Sequence, residues 1–267
     1  MLRLALAIVQ AGTPPEAPAA PPPRDDVVVT GTRGIDDPAS VVTRETLGGS
    51  RTGQGAARSR ETFSRADRFA RCAVAKAGFA RDHLRAALDG VINSPAQRFG
   101  QQRFVQINAP CAQDPQLASW SGVATLSRDY DASYYDRGAL FVQALRRYAP
   151  DLRLTKRQTG DRAVQQRFNA RELPLARLRF TADLDYFRMA VCLVRLQPEL
   201  SVQLVSTDDA DAVSRTEAFI VNGARVCTGG ARRVYFDPSQ FRFYIADAVY
   251  RWAVAARGVD SLIPAEG

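Results

Sequence analysis

The sequence is short of the side chains on which most enzyme chemistry is built. It holds one histidine, so any Ser-His-Asp or Cys-His mechanism would have to pass through His83 alone. The neighbours Arg81, Asp82 and Arg85 put His83 on a short charged helix, where a solvated histidine is expected. No G-x-S-x-G turn is present to raise a nucleophilic serine. The four cysteines contain no C-x-x-C pair, which argues against thioredoxin-type exchange and against a zinc ribbon, and one histidine cannot complete a zinc set beside them. These absences assign no catalytic residue, no metal and no cofactor. No apolar run reaches 18 residues, so no helix is expected to cross a membrane. Lysine is almost missing as well: two lysines stand against 34 arginines, and the net charge of +8 is carried by guanidinium groups.

What is present fits a globular chain of one or two domains: 267 residues, 46% hydrophobic and 24% charged. Residues Met1 to Ala11 read as a short secretion signal, with Arg3 before the apolar stretch Leu4 to Val9 and a small-residue pattern at Val9-Gln10-Ala11. Six of the ten residues from Pro14 to Pro23 are proline, the composition of a semi-rigid extended spacer. Asp25-Asp26-Val27-Val28-Val29-Thr30-Gly31-Thr32-Arg33 follows, a β-branched run that reads as a short strand seeking a sheet edge. Through Val28-Val29-Thr30-Gly31 this segment resembles the TonB-box region of TonB-dependent outer-membrane receptors. The resemblance covers residues 25–33. It implies an envelope location and a protein partner reached by strand addition through Val27, Val28, Val29 and Thr30. The remainder is too short for the family's barrel and lacks its alternating strands. Gly-, Ser- and Arg-rich sequence with Gly48-Gly49 and Gly53-Gln54-Gly55 continues to Arg60 and reads as linker.

The predicted organisation is a signal at 1–11, a disordered tether at 12–60, a helical repeat at 61–150, a connector at 151–180, a second helical repeat at 181–258 and a tail at 259–267. Within the body, Phe63, Ala66, Phe69, Ala70, Ala73 and Ala77 recur at helical spacing, as do Leu184, Phe187, Val191 and Val194. Leu140, Phe141, Ala144, Leu145 and Tyr148 form a further stripe, matched near the end by Phe241, Tyr244, Ile245, Ala248, Val249 and Trp252. On that last helix Asp247 and Arg251 suit an exposed i,i+4 pair. Ser94-Pro95 with Gln97, and Asp237-Pro238, are helix starts. Val234-Tyr235-Phe236 is a short strand candidate, too brief to stand alone. The fold class is mostly α, with two similar halves. Aligning Cys72 with Cys192 lays Arg68 on Arg188 and Val74 on Val194. Phe104-Val105 then precedes Cys111 as Ile220-Val221 precedes Cys227. Gly122 with Asp129, and Gly230 with Asp237, come next, ahead of helices led by Arg137 and Arg242. An internal duplication of roughly 80 residues is inferred.

Four cysteines admit three pairings. The repeat favours Cys72–Cys111 and Cys192–Cys227, one bridge per half, which fits a periplasmic or secreted protein. Two acidic groups, Asp129/Asp131/Asp136 and Asp208/Asp209/Asp211, invite a glycosidase or calcium reading. Asp209-Ala210-Asp211 lacks the glycine of a calcium loop, and Thr207-Asp208-Asp209 reads as a helix cap. Gly53-Gln54-Gly55 is only a faint phosphate-loop signal. Residues 51–103 hold eleven basic and four acidic residues, and 137–179 hold eleven and three. Such stretches suit an anionic polymer or a membrane surface; no nucleic-acid motif accompanies them. The function expected is therefore a non-enzymatic exported interaction or scaffold protein. Its rivals are an envelope hydrolase using Asp129 and Asp237, and a basic nucleic-acid-binding protein.

Overall fold

The computed structural model describes residues 26–29, 53–112, 130–229, 233–236 and 238–265. The expected signal segment, the proline-rich stretch 14–23, Thr30, and the residues Gly122, Asp129, Gly230 and Asp237 lie outside the described residues. The fold is mostly α. Its first part contains α1 (Gly53–Ala75), α2 (Arg81–Asp89), α3 (Pro95–Ile107) and α4 (Tyr130–Tyr148). Two shorter helices follow, α5 (Lys156–Gly160) and α6 (Arg162–Leu175). The second part contains α7 (Thr181–Leu196), α8 (Pro198–Ser206), α9 (Ala210–Gly223) and α10 (Pro238–Arg257). Strand β1 (Asp26–Val29) pairs in parallel with β2 (Arg233–Phe236), setting Val28 opposite Tyr235.

Local signals explain most of the helix ends. Ser94 Oγ accepts from the Gln97 amide at 3.1 Å while Gln97 Oε1 accepts from the Asn93 amide at 3.2 Å, and Pro95 takes the first helical position. Thr155 and Gln158 close a full capping box on α5, and Asp161 Oδ1 accepts from the Val164 amide to start α6. Residues 151–180, expected as a connector, thus carry two helices. The body also begins earlier than Glu61: Gly53-Gln54-Gly55 is the opening of α1, neither linker nor phosphate loop. Ala56, Ala57, Arg58 and Arg60 are good helix formers, and they outweigh two glycines at a helix end.

Both cysteine pairs form as the repeat suggested. Cys72 on α1 bonds Cys111 in the short 3-10 turn Ala109–Cys111, and Cys192 on α7 bonds Cys227 in the turn Arg225–Thr228. The two bridges have the same Cα separation, 5.6 Å.

Helix α10 is the centre of the molecule. It packs against α4, α7, α8, α6 and α1, and every residue from Gln240 to Ala255 is at most 4% exposed. Gly138 lets α4 cross it closely, since a Cβ there would collide with the Phe243 ring. A helix buried all round is normally apolar throughout. This one carries Arg242, Asp247 and Arg251 into the core. The Asp247–Arg251 pair does form, at 2.5 Å, but with side chains 2% and 1% exposed it is buried, not the surface pair the sequence suggested.

Charges removed from water must be matched. Here they are matched by a continuous chain. Arg251 bonds Asp247, Glu172 on α6 and the Leu88 carbonyl at the end of α2. Arg179, in the turn before α7, donates to Asp247 Oδ2 at 2.6 Å and to both Asp183 oxygens at 3.1 and 3.2 Å. Tyr244 also donates to Asp183, at 2.9 Å. Beyond Glu172, Arg171 reaches Asp89 at 2.5 Å, and Asp89 in turn accepts from Tyr250 and Ser261. The Phe187 ring lies 3.9 Å below the Arg179 guanidinium, adding a cation–π face.

Burial alone would raise the Asp247 carboxyl. Arg251, Arg179 and Arg137 overcome that and bring it down to about 2. Burial would likewise lower Arg179 and Arg251, and their carboxylate partners reverse it, so both are held protonated.

Replacing Asp247 by Asn should cost about 3–5 kcal/mol in urea unfolding, because two buried guanidinium groups lose a partner. Arg188→Gln, in the exposed Arg188–Asp185 pair, should change stability by less than about 0.5 kcal/mol. Equal effects would contradict the burial assigned to the network. Folded Asp247 binds its proton only near pH 2, whereas an unfolded aspartate binds it near pH ~3.9, so the unfolded state takes up more protons between those values. Stability measured by circular dichroism in urea should therefore fall as the pH drops through that window, and Asp247→Asn should flatten the fall.

Candidate functional site

The described surface is concave where the C-terminal ends of α4 and α8 meet over α10. The cleft has a volume of about 380 Å³, within the range of small-ligand sites. Leu145, Ala149 and Leu152 form one wall, Val202 and Val205 the other, and Val249 lies at the base. Leu145 and Val249 belong to the apolar stripes visible as helical periodicity, whereas Ala149 and Leu152 follow the end of α4. Polar groups enter from one side only: Arg146, Ser206 and Asp208.

Arg146 organises that side. Helix α8 ends at Ser206 and leaves its last carbonyls without helical partners. Arg146 Nη2 donates to the carbonyls of Val205, Ser206 and Thr207 at 3.1, 3.4 and 3.4 Å. Arg242 from α10 donates to the carbonyls of Val205 and Thr207. Two guanidinium groups at a helix C-terminus also suit its dipole. The next residue, Asp208, gathers three arginines: Arg146 at 2.8 Å, Arg71 at 3.7 Å and Arg242 at 3.9 Å. Hydrogen bonds from Arg146 hold the Asp208 carboxyl below the usual carboxylate range, and the charges of Arg71 and Arg242 add to the effect. Arg242 is pushed down to about 10, first by burial and then by the like charge of Arg146. Behind this layer, buried Asp67 accepts from Gln143 at 2.6 Å and from Arg71 at 2.9 Å.

The residues singled out from sequence are scattered around this centre. Asp209 is the cap expected of it, accepting from the Ala212 amide at 2.6 Å, while Asp211 is exposed on the first turn of α9. Asp131 and Asp136 stand on α4. Val27, Val28 and Val29 form β1 on an edge of this chain's own β2, and Thr30 lies outside the described residues. Asp129 and Asp237, the candidate hydrolase pair, also lie outside them. His83 is half-buried, not freely solvated, and meets the Phe99 ring edge-on at 6.2 Å. Among the described residues, no cluster of three His, Cys, Asp or Glu side chains could hold a metal ion, and no helix is long and apolar enough to cross a membrane.

Arg71, Arg146, Arg242 and Gln143 were missed from sequence. Only the Asp67–Arg71 spacing of four gave a signal, because the other partners lie more than 30 residues apart in the chain. Compared with known protein families, curated proteins and solved structures, the chain matches none.

Arg146→Met should destabilise by about 1–3 kcal/mol, since it removes the donor shared by the last two α8 carbonyls and that of the following Thr207. Arg71→Met, at an exposed site, should stay within about 0.5 kcal/mol. Thermal unfolding of the two variants checks this. A tolerant Arg146 would contradict its place as the cap of α8.

Proposed function

We propose that the chain is a non-enzymatic exported protein of the cell envelope, which binds a partner rather than transforming a substrate. The observation that carries this reading is the pair of disulfides. Each closes a loop of 39 or 35 residues, and such bonds persist in oxidising compartments. The signal-like residues 1–11 and the proline-rich stretch 14–23 support the same reading from sequence. The partner contact we assign is strand addition through the TonB-box-like segment at Val27 to Thr30. β1 has one edge on β2, and its other edge is the one offered to the partner.

The body is proposed to derive from duplication of one helical unit. In support, α1 and α7 bury residues in the same phase relative to their cysteines: Ala70, Ala73 and Val74 against Ala190, Leu193 and Val194. So do α3 and α9, with Gln101, Phe104 and Val105 against Glu217, Ile220 and Val221. Helices α2 and α8 have nine residues each.

Affinity capture from envelope extracts, with the full chain and with a deletion of residues 25–33, tests the assignment. The full chain should retain an envelope protein that the deletion loses, and the cysteines of the natively produced protein should resist alkylation until reduced. Four freely alkylated thiols would overturn export, and identical capture by both chains would overturn strand addition. Removing either disulfide by paired Cys→Ser changes should lower stability by roughly 2–4 kcal/mol in urea unfolding.

A further inference from the structure

We propose that Arg71, Arg146 and Arg242 form a site for a phosphate dianion, free or as a phosphomonoester, and that Asp208 occupies it as a built-in substitute for the ligand. Three elements, α1, α4 and α10, each send one guanidinium group to a single carboxylate, at 3.7, 2.8 and 3.9 Å. An anchor for the turn after α8 does not require three, because Arg146 and Arg242 already hold that turn by its Val205 and Thr207 carbonyls.

Asp208 serves the three groups incompletely. Arg146 alone makes hydrogen bonds to it, from Nη2 to Oδ1 at 2.8 Å and from Nη1 to Oδ2 at 3.3 Å. Arg71 and Arg242 stand too far off to do so, and Arg71 donates to Asp67 instead, at 2.9 Å. Behind them Arg146 Nε and Arg242 Nε are buried with no hydrogen-bond partner among the described residues, and the Arg242 side chain as a whole is only 5% exposed. Burial, and after it the like charge of Arg146, push Arg242 down to about 10, in keeping with a local shortage of negative charge. A carboxylate brings two oxygens and one charge to these donors. A phosphate group brings about two charges and at least three acceptor oxygens, and guanidinium forks match its geometry. Solvent reaches the cluster from outside, where Asp208 is 61% and Arg71 57% exposed, and from the neighbouring cleft, which Arg146, Ser206 and Asp208 line. Because the Thr207 carbonyl is held, exchange needs only rotation of the Asp208 side chain into water. The inference is independent of export and of strand addition, since it concerns the purified chain alone.

Calorimetric titration of the full oxidised chain with inorganic phosphate tests it. Asp208→Ala, which removes the substitute, should bind phosphate at one site at least about tenfold more tightly than the unaltered chain. Asp208→Asn removes the charge at nearly constant size, should also tighten binding, and serves if the alanine variant does not fold. Adding Arg71→Gln to either variant should weaken phosphate about tenfold, whereas adding Arg188→Gln, at another exposed arginine, should leave it unchanged. The side-chain Nε–H signals of Arg146 and Arg242 should shift in nitrogen-resolved NMR as phosphate saturates. Glycerol phosphate and vesicles containing phosphatidic acid separate a soluble from a lipid source of the same group, and whichever binds should lose affinity on Arg71→Gln. The proposal is overturned if neither Asp208 variant binds phosphate more tightly than the unaltered chain, if Arg188→Gln weakens binding as much as Arg71→Gln, or if the two Nε–H signals stay in place at saturation. Asp208 would then be a structural partner of Arg146 alone.

Discussion

Helix α10 can be surrounded by protein only because each charge it carries into the core is answered from another element. Asp183, Arg179, Asp247, Arg251, Glu172, Arg171 and Asp89 alternate in sign along one connected path through α7, α10, α6 and α2. A path of this kind need not stabilise the fold more than an equally well-packed apolar core would, since taking the charges out of water is itself costly. What it imposes is position. A slip of α10 by one residue would turn Asp247 through about 100° and leave two guanidinium groups buried beside nothing that balances them. The network therefore dictates which helices meet α10 and at what height, and it ties the C-terminal segment to α2 through Ser261, Tyr250 and Asp89.

The disulfides act on a different scale. Each clips a long helix to the short turn that follows the next helix pair, Cys72 to Cys111 and Cys192 to Cys227. They shorten the loops that the unfolded chain can explore, whereas the ion network operates only once the helices have docked. Their placement matches: each joins a cysteine on a long helix to one 39 or 35 residues later. The surroundings of the two bridges differ. Asp67 in the first accepts from Gln143 and from Arg71, which leads out to Asp208 at the surface, while the second recruits α6 to supply Glu172 and Arg171 inside the core.

Much of this was legible in the sequence wherever the determinant was local. Apolar residues at helical spacing located α1, α4, α7 and α10, Ser94-Pro95 marked the start of α3, and cysteine order indicated the pairing. Legibility failed where the determinant was a distant partner. Asp247 and Arg251 four apart on a helix look like a solvent-facing pair, and only Glu172 and Arg179, 79 and 68 residues away, turn them inward. The same limit hid the three arginines around Asp208. The short helices α5 and α6 were passed over for another reason: their stretch is rich in polar and basic residues and reads as connector, although the Thr155/Gln158 box was in plain view. Glycine weighting placed the start of α1 eight residues late.

Site-resolved titration of the Asp247 carboxyl by carbon-detected NMR on selectively labelled protein puts the organising role of this network to its most direct test. The account predicts a midpoint near pH 2, well below an ordinary aspartate, because Arg251 and Arg179 outweigh burial. A midpoint near the unperturbed value of about 3.9 would place Asp247 in water and contradict the buried chain of charges around which the helices are arranged.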